Sequence, residues 1–255
     1  MTQKMPAREF LDACSVDPAV LELRPDYRGL LMVVDGLIPE VTAGDGGQAV
    51  EELITAAEKH AAELLSQTPV DELPHIAAWR EAYRAFGAKP QRTRTSVEAL
   101  IRRAAGPGLP RVNRLTDLYN AISVLHQVPA GGEDLERYQG TAVLKRAAGD
   151  EPFDTMADGE SIIEHPLAGE VVWCDDAGVT CRRWNWRQAR RTQLSDATTT
   201  ALFILDALDP MTDDQLAAAA DELAGRLVLL GPDVIVARRV LADPRVPGNS
   251  AGRRA

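Results

Sequence analysis

With 255 residues, 45% of them hydrophobic and 26% charged, the chain has the composition of a globular protein. It is large enough to hide roughly 70–75% of its unfolded surface without staples. No run of 18 apolar residues occurs, which excludes a helical membrane span, and Met1 to Phe10 lacks the apolar core of a secretory signal. A cytoplasmic location is the expectation. Cys14, Cys174 and Cys181 are too few for a disulfide framework and form no CxxC, so they read as reduced, buried thiols. His60, His75, His126 and His165 lack ligand spacing, so neither a metal nor another cofactor is expected.

The net charge of −10 is unevenly spread. Residues 80–114 hold nine basic groups against Glu81 and Glu98, and residues 182–191 hold Arg182, Arg183, Arg187, Arg190 and Arg191 with no acid. Two basic segments on an acidic body suit selective contact with a polyanion. The alternative is that these arginines pair with surplus acids on a solvated surface.

In chain order, residues 1–16 predict a short helix and lead-in. Val20–Leu23 and Gly29–Leu37 predict strands, the second an unbroken apolar run of the kind a buried strand shows. A turn at Gly44–Gly47 leads to a helix from about Gln48 to Ser66, with Val50, Leu53, Ile54, Ala57, Ala61 and Leu64 at helical spacing. Pro74 opens a helix ending near Phe86, whose aromatic face (Trp79, Tyr83, Phe86) belongs to the core. A basic connector, Ala88–Thr95, precedes a helix from Val97 to Ala105 capped by Ser96. Another helix spans about Val112 to His126. Gly131 and Gly132 then mark a loop.

Strands follow at Thr141–Lys145, Gly169–Cys174 and Val179–Arg183, the last two joined as a hairpin through Asp175–Gly178. Thr198–Leu208 predicts a long strand and Met211–Leu230 an amphipathic helix; Val234–Leu241 fits a strand or a helix end. Helices and strands fall in blocks, which predicts an α+β fold with a mixed or antiparallel sheet flanked by helices. One domain over residues 1–245 and a disordered tail over 246–255 complete the expectation.

Two stretches carry a family resemblance. Thr116-Asp117-Leu118-Tyr119-Asn120, followed by Val128-Pro129-Ala130-Gly131-Gly132-Glu133-Asp134, resembles the helix and loop signature of the editing (B3/B4) domain of the phenylalanyl-tRNA synthetase beta subunit. Gly169–Trp173 and Cys181–Gln188 fall where that family has two strands and a glycine-rich pocket loop. Arg182-Arg183-Trp184-Asn185-Trp186-Arg187-Gln188, with a Ser96–Leu100 helix start, is similar to freestanding members. The resemblance covers about residues 75–210. It departs at three points: the family histidine falls on Gly131, the acid near the end of the long strand falls near Phe203, and Trp and Arg replace the glycine-rich loop.

The resemblance implies a trans-editing deacylase that hydrolyses the ester of a mischarged aminoacyl-tRNA. It does not carry over the synthetase's own substrate, tyrosine on a phenylalanine tRNA. Freestanding relatives act on near-cognate or non-protein amino acids, canavanine on an arginine tRNA among them. Two rival readings stay open: a tRNA-binding module without catalysis, and a small-molecule hydrolase or binding protein on the same frame. The ester is already activated, so a placed water and a stabilised oxyanion suffice, in keeping with the lack of a GxSxG motif.

The candidate catalytic residues are Asn120, Gly131, Glu133 and Arg187. Asn120 would hold water or the α-amino group, and Gly131 and Gly132 would let backbone N–H groups approach the ester. Glu133 or Asp134 would bind an ammonium or act as a base. Trp184 and Trp186 would stack on adenine or wall the pocket, Arg187 would clamp phosphate or oxyanion, and Gln188 would read a polar group. Plainer roles compete: Asp117 and Asn120 as backbone caps, Glu133 and Asp134 as turn residues, and one tryptophan as core. If the strand persists, Trp184 and Trp186 share a face. Lys89, Arg92, Arg94, Arg102 and Arg103 are the candidate tRNA-backbone contacts.

Overall fold

A computed structural model describes residues 5–39 and 46–241. The expectation for the 246–255 tail lies outside these, as does part of the Gly44–Gly47 turn.

The chain opens with helix α1 (Ala7–Ala13), a two-residue strand β1 (Ser15–Val16) and helix α2 (Pro18–Leu23). Val20–Leu23 is therefore helical, not extended. Asp17 caps it by accepting the Ala19 N–H, and Pro18 at the first helical position has its φ preset. Strand β2 (Arg28–Asp35) is buried along all but its last residue. It is the apolar run expected of a strand covered on both faces. Helices α3 (Gly46–Gln67), α4 (Pro74–Ala85), α5 (Ser96–Ala104) and α6 (Arg114–His126) follow. The cap of α5 is Thr95, whose hydroxyl takes the Glu98 N–H; Ser96 is the first helical residue.

The expected glycine loop is instead strand β3 (Ala130–Asp134). Strand β4 (Val143–Arg146), a hairpin of β5 (Phe153–Ala157) and β6 (Glu160–Glu164), the pair β7 (Val171–Asp175) and β8 (Gly178–Arg182), and the short β9 (Arg187–Gln188) come next. Strand β10 (Thr200–Ala207), helix α7 (Asp213–Leu227) and strand β11 (Ile235–Leu241) complete the described fold, so the ambiguous segment is a strand. No helix among the described residues is long and apolar enough to cross a membrane.

The architecture is α+β. An antiparallel sheet in the order β11-β2-β10-β3 lies between two cores. Successive side chains of a strand point to opposite faces. Leu30, Met32, Val34, Phe203 and Leu205 therefore pack with α3, α5, α6 and α7. Leu31, Val33, Leu202 and Ile204 meet α1, α4 and the second sheet, β1-β4-β7-β8-β9, through Trp79, Tyr83, Trp173 and Trp184. The expected aromatic face of α4 is in that second core, with Phe86 packed against it. The candidate cavity opens on the same side.

Candidate active site

A cavity of about 270 Å³ lies between the face of β3 and β10, helix α6 and the segment after β8. Its floor follows from strand register. Gly131 pairs with Ile204, and Glu133 with Leu202. The period of two brings Gly131, Glu133, Ile204 and Asp206 to the cavity, and all four line it. Tyr119 and Asn120 of α6 form one wall, and Trp173, Cys181 and residues 184–188 the other; Ser96, Ala99 and Leu100 of α5 stand at the rim.

The wall after β8 depends on a break in the strand. Arg183 and Trp184 both have left-handed backbone, φ 48° and 67°, a conformation uncommon for side chains of this size. The break separates the two tryptophans expected to share a face. Trp184 is fully buried against Tyr27, Trp79 and Phe86. Trp186 stays partly exposed, with the Arg183 guanidinium 4.2 Å from its ring centre. Asn185 is turned inward: its Nδ2 donates to Asp206 Oδ2 at 3.3 Å, and its Oδ1 accepts the Tyr83 hydroxyl at 2.9 Å.

Two buried acids face this space. Asp206 also accepts the Tyr27 hydroxyl at 2.7 Å. Burial pushes its pKa up to about 7, against the opposing pull of the Tyr27 and Asn185 hydrogen bonds. Glu133 is likewise raised to about 7 by burial, with the Tyr138 and Thr180 hydroxyls acting the other way. Burial lifts the Cys181 thiol well above its ordinary range, so it is no ready nucleophile. Gln188 ties the walls together: its Nε2 donates to the Gly132 carbonyl at 3.0 Å, and its Oε1 accepts the Tyr119 hydroxyl at 3.4 Å. Arg187 donates to the Met156 carbonyl at the tip of the β5–β6 hairpin, 3.2 Å away.

Of the residues singled out from sequence, Asn120, Gly131, Glu133, Trp184, Trp186, Arg187 and Gln188 line this one cavity. Three do not. Gly132 faces the helical core, where a Cβ would stand 2.7 Å from Leu194 and 2.8 Å from Phe203. Asp117 accepts the Val112 N–H at 2.9 Å, a capping role. Asp134 organises a turn, accepting the Glu136 N–H at 3.0 Å and the Thr198 hydroxyl at 2.9 Å. Asn120, by contrast, makes no side-chain hydrogen bond among the described residues and does not act as a cap.

Lys89, Arg92, Arg94, Arg102 and Arg103 are all exposed. They precede or ride on α5, whose first turn reaches the cavity rim. The sequence reading missed Asp206, Asn185, Tyr27 and Tyr138. Asp206 had a signal: it is the only acid between Thr198 and Leu208.

An α+β frame with a pocket at the edge of its central sheet defines the class. A model of the B3/4 domain matches residues 78–223, more than half of the chain, and the chain belongs to that family. Among solved structures, an N-terminal fragment of the phenylalanyl-tRNA synthetase beta-subunit from Pyrococcus horikoshii is similar over 90% of this chain, with a TM-score of 0.43 and 12% identity. The chain spans 50% of that fragment. No curated protein matches it.

Proposed function

We propose that this chain is a trans-editing deacylase, hydrolysing the ester between a wrongly attached amino acid and the terminal ribose of a tRNA. One observation carries the reading: a single cavity gathers Asn120, Gly131, Glu133, Arg187 and Gln188 beside the rim of α5, and a basic segment leads into that helix. Membership of the B3/4 family supports a tRNA-related role, as does the resemblance of the Thr116–Asn120 and Val128–Asp134 segments to the synthetase editing signature.

In this reading the acylated adenosine enters past Ser96 and Leu100 and stacks on the partly exposed Trp186. Lys89, Arg92, Arg94, Arg102 and Arg103 hold the phosphate backbone without reading sequence. Asn120, whose amide has no hydrogen-bond partner among the described residues, positions the α-amino group or the water. Arg187 stabilises the oxyanion or a phosphate. Asp206, held by Tyr27 and Asn185, fixes the Asn185 wall of the pocket in place. The polar groups of the lining suit an amino acid with a polar side chain, canavanine on an arginine tRNA among the candidates. Orientation alone supplies on the order of 7 kcal/mol of the barrier reduction, enough to matter for an ester already labile.

The test is deacylation of a panel of mischarged tRNAs, including tyrosyl-tRNA for phenylalanine and canavanyl-tRNA for arginine. Wild-type protein is compared with Asn120→Ala and Arg187→Ala. Turnover of at least one ester, lost in both variants, is the expected result. Salt-dependent tRNA binding with no turnover across the panel would make the chain a binding module instead.

A further inference from the structure

The two acids of the cavity differ in what they have left to offer. Asp206 has both oxygens engaged, one by Tyr27 and one by Asn185. Glu133 has one engaged: its Oε2 accepts the Tyr138 hydroxyl, while its Oε1 is buried without a hydrogen-bond partner. The residue is 2% exposed and lines the cavity. A buried oxygen left bare is costly, and the residue that carries it lines the cavity. Gly131, two residues earlier on the same strand face, keeps that space clear, since a Cβ there would sit 3.0 Å from Gln188 Nε2.

We propose that Glu133 is the general base of the hydrolysis and that Tyr138 is its positioning residue. The proposal rests on the deacylase reading above and deepens it. Tyr138 holds one carboxylate oxygen, which fixes the plane of the carboxylate and leaves Oε1 as the atom that meets water. As the water oxygen bonds to the ester carbonyl carbon, Oε1 takes one of its protons and the carbonyl π pair moves onto oxygen. The tetrahedral adduct then expels the ribose oxygen, which takes that proton back from Glu133. The products are a free ribose hydroxyl and the amino acid, and the carboxylate is regenerated.

The groups around Glu133 set the pH at which it works. Burial is the largest influence and raises its pKa to about 7; Asp175 of β7 pushes the same way. The hydroxyls of Tyr138 and Thr180, and the charge of Arg191, oppose it. Tyr119 of α6 and Cys181 of β8 face it with their own protons held by burial, and Asp206 and Arg187 share the cavity. A base half-ionised near neutrality gives a rate that climbs to about pH 7 and then levels.

The experiment is single-turnover deacylation, from about pH 5 to about pH 9, of whichever ester in the panel the wild-type protein cleaves fastest. Spontaneous hydrolysis is subtracted. Glu133→Gln is expected to lose the limb near pH 7 and to lower the plateau rate on the order of 100- to 10,000-fold. Tyr138→Phe removes a hydrogen bond that favours the ionised form, so its limb moves to higher pH while the plateau stays within several-fold of wild type. A Glu133→Gln protein that keeps both rate and limb overturns the base alone. So does an unmoved limb in Tyr138→Phe, which decides the matter should the glutamine variant fail to fold. A wild-type protein inactive on every ester overturns the deacylase reading and the base with it.

Discussion

Gly131 and Gly132 are neighbours in sequence with opposite expected failures. Strand alternation sends Gly132 toward Phe203 and Leu194, where an added Cβ would meet carbon atoms at 2.8 and 2.7 Å. Overpacking of this kind costs about 1–3 kcal/mol. Replacing glycine at an ordinary φ returns about 0.4–1 kcal/mol by restricting the unfolded chain. Gly132→Ala should therefore lose ~1–2 kcal/mol net, about 2–8 °C in melting temperature for a chain of this size. At Gly131 the nearest atom is the end of a flexible glutamine at 3.0 Å, so Gly131→Ala should melt at or slightly above wild type. Its methyl group would instead occupy substrate space, and deacylation should fall about 10- to 100-fold. Thermal melts and single-turnover rates on both variants test this. Equal melting temperatures for Gly132→Ala and wild type, or full activity in Gly131→Ala, would refute the assignment of faces.

Asp206 gives a pH signature. Its carboxyl keeps its proton to about pH 7 in the folded protein but releases it near pH 4 when unfolded. The native state thus binds more protons between those values, and this contribution is full below about pH 4 and declines toward pH 7. Urea melts at several pH values should show a steeper decline in wild type than in Asp206→Asn, and parallel curves would refute the raised pKa. Trp184→Ala should cost about 3–5 kcal/mol as a loss of core volume, whereas Trp186→Ala should cost well under that and show its effect in substrate affinity; urea midpoints and KM separate the two. Charge reversal at Arg92 and Arg94 should weaken tRNA binding and reduce the slope of log K against log salt by about 0.7–0.9 for each phosphate no longer neutralised. An unchanged slope would remove these residues from the interface.

Much of the frame was legible because it depends on local rules. The β2 run is apolar on both faces, and helix α3 repeats its apolar positions at helical spacing. What escaped depended on partners distant in sequence or on turn chemistry passed over. Ala130–Asp134 reads as a loop from its glycines, yet Phe203 across the ladder needs a residue without a side chain opposite it. Val20–Leu23 has strand-like composition, but Asp17 and Pro18 set a helix start. The β5–β6 hairpin carried a plain signal in Asp158-Gly159, both left-handed with φ 51° and 82°, the dipeptide that tight hairpins favour. The site was half legible: the residues of the 184–188 segment converge as expected, but Asp206 joins them only through a register that no spacing rule reveals.

Charge shows the same division between sequence and space, and it sharpens the role of Arg187. The segment 182–191 carries five arginines and no acid, yet four of them meet acids from elsewhere in the chain. Arg182 binds Glu164 and Glu170, Arg183 reaches Glu170, Arg190 faces Asp154 and Arg191 grips Asp175. In the earlier segment, Arg80, Arg94 and Arg102 converge on the buried Glu98, and Arg111 pairs with Glu51 and Glu58. Acids thus pair with four of the five arginines in 182–191, and with Arg80, Arg94, Arg102 and Arg111 among the nine basic residues of 80–114. Among the described residues of the two segments, Arg187 at the cavity, with Arg84, Lys89, Arg92 and Arg103 of the earlier segment, is left without a carboxylate partner. A cation already committed to a carboxylate must give up that pairing to bind phosphate, whereas these five give up only water or, for Arg103 and Arg187, a carbonyl. In the proposed tRNA contact, loss of Arg187 should therefore cost more binding than loss of any paired neighbour.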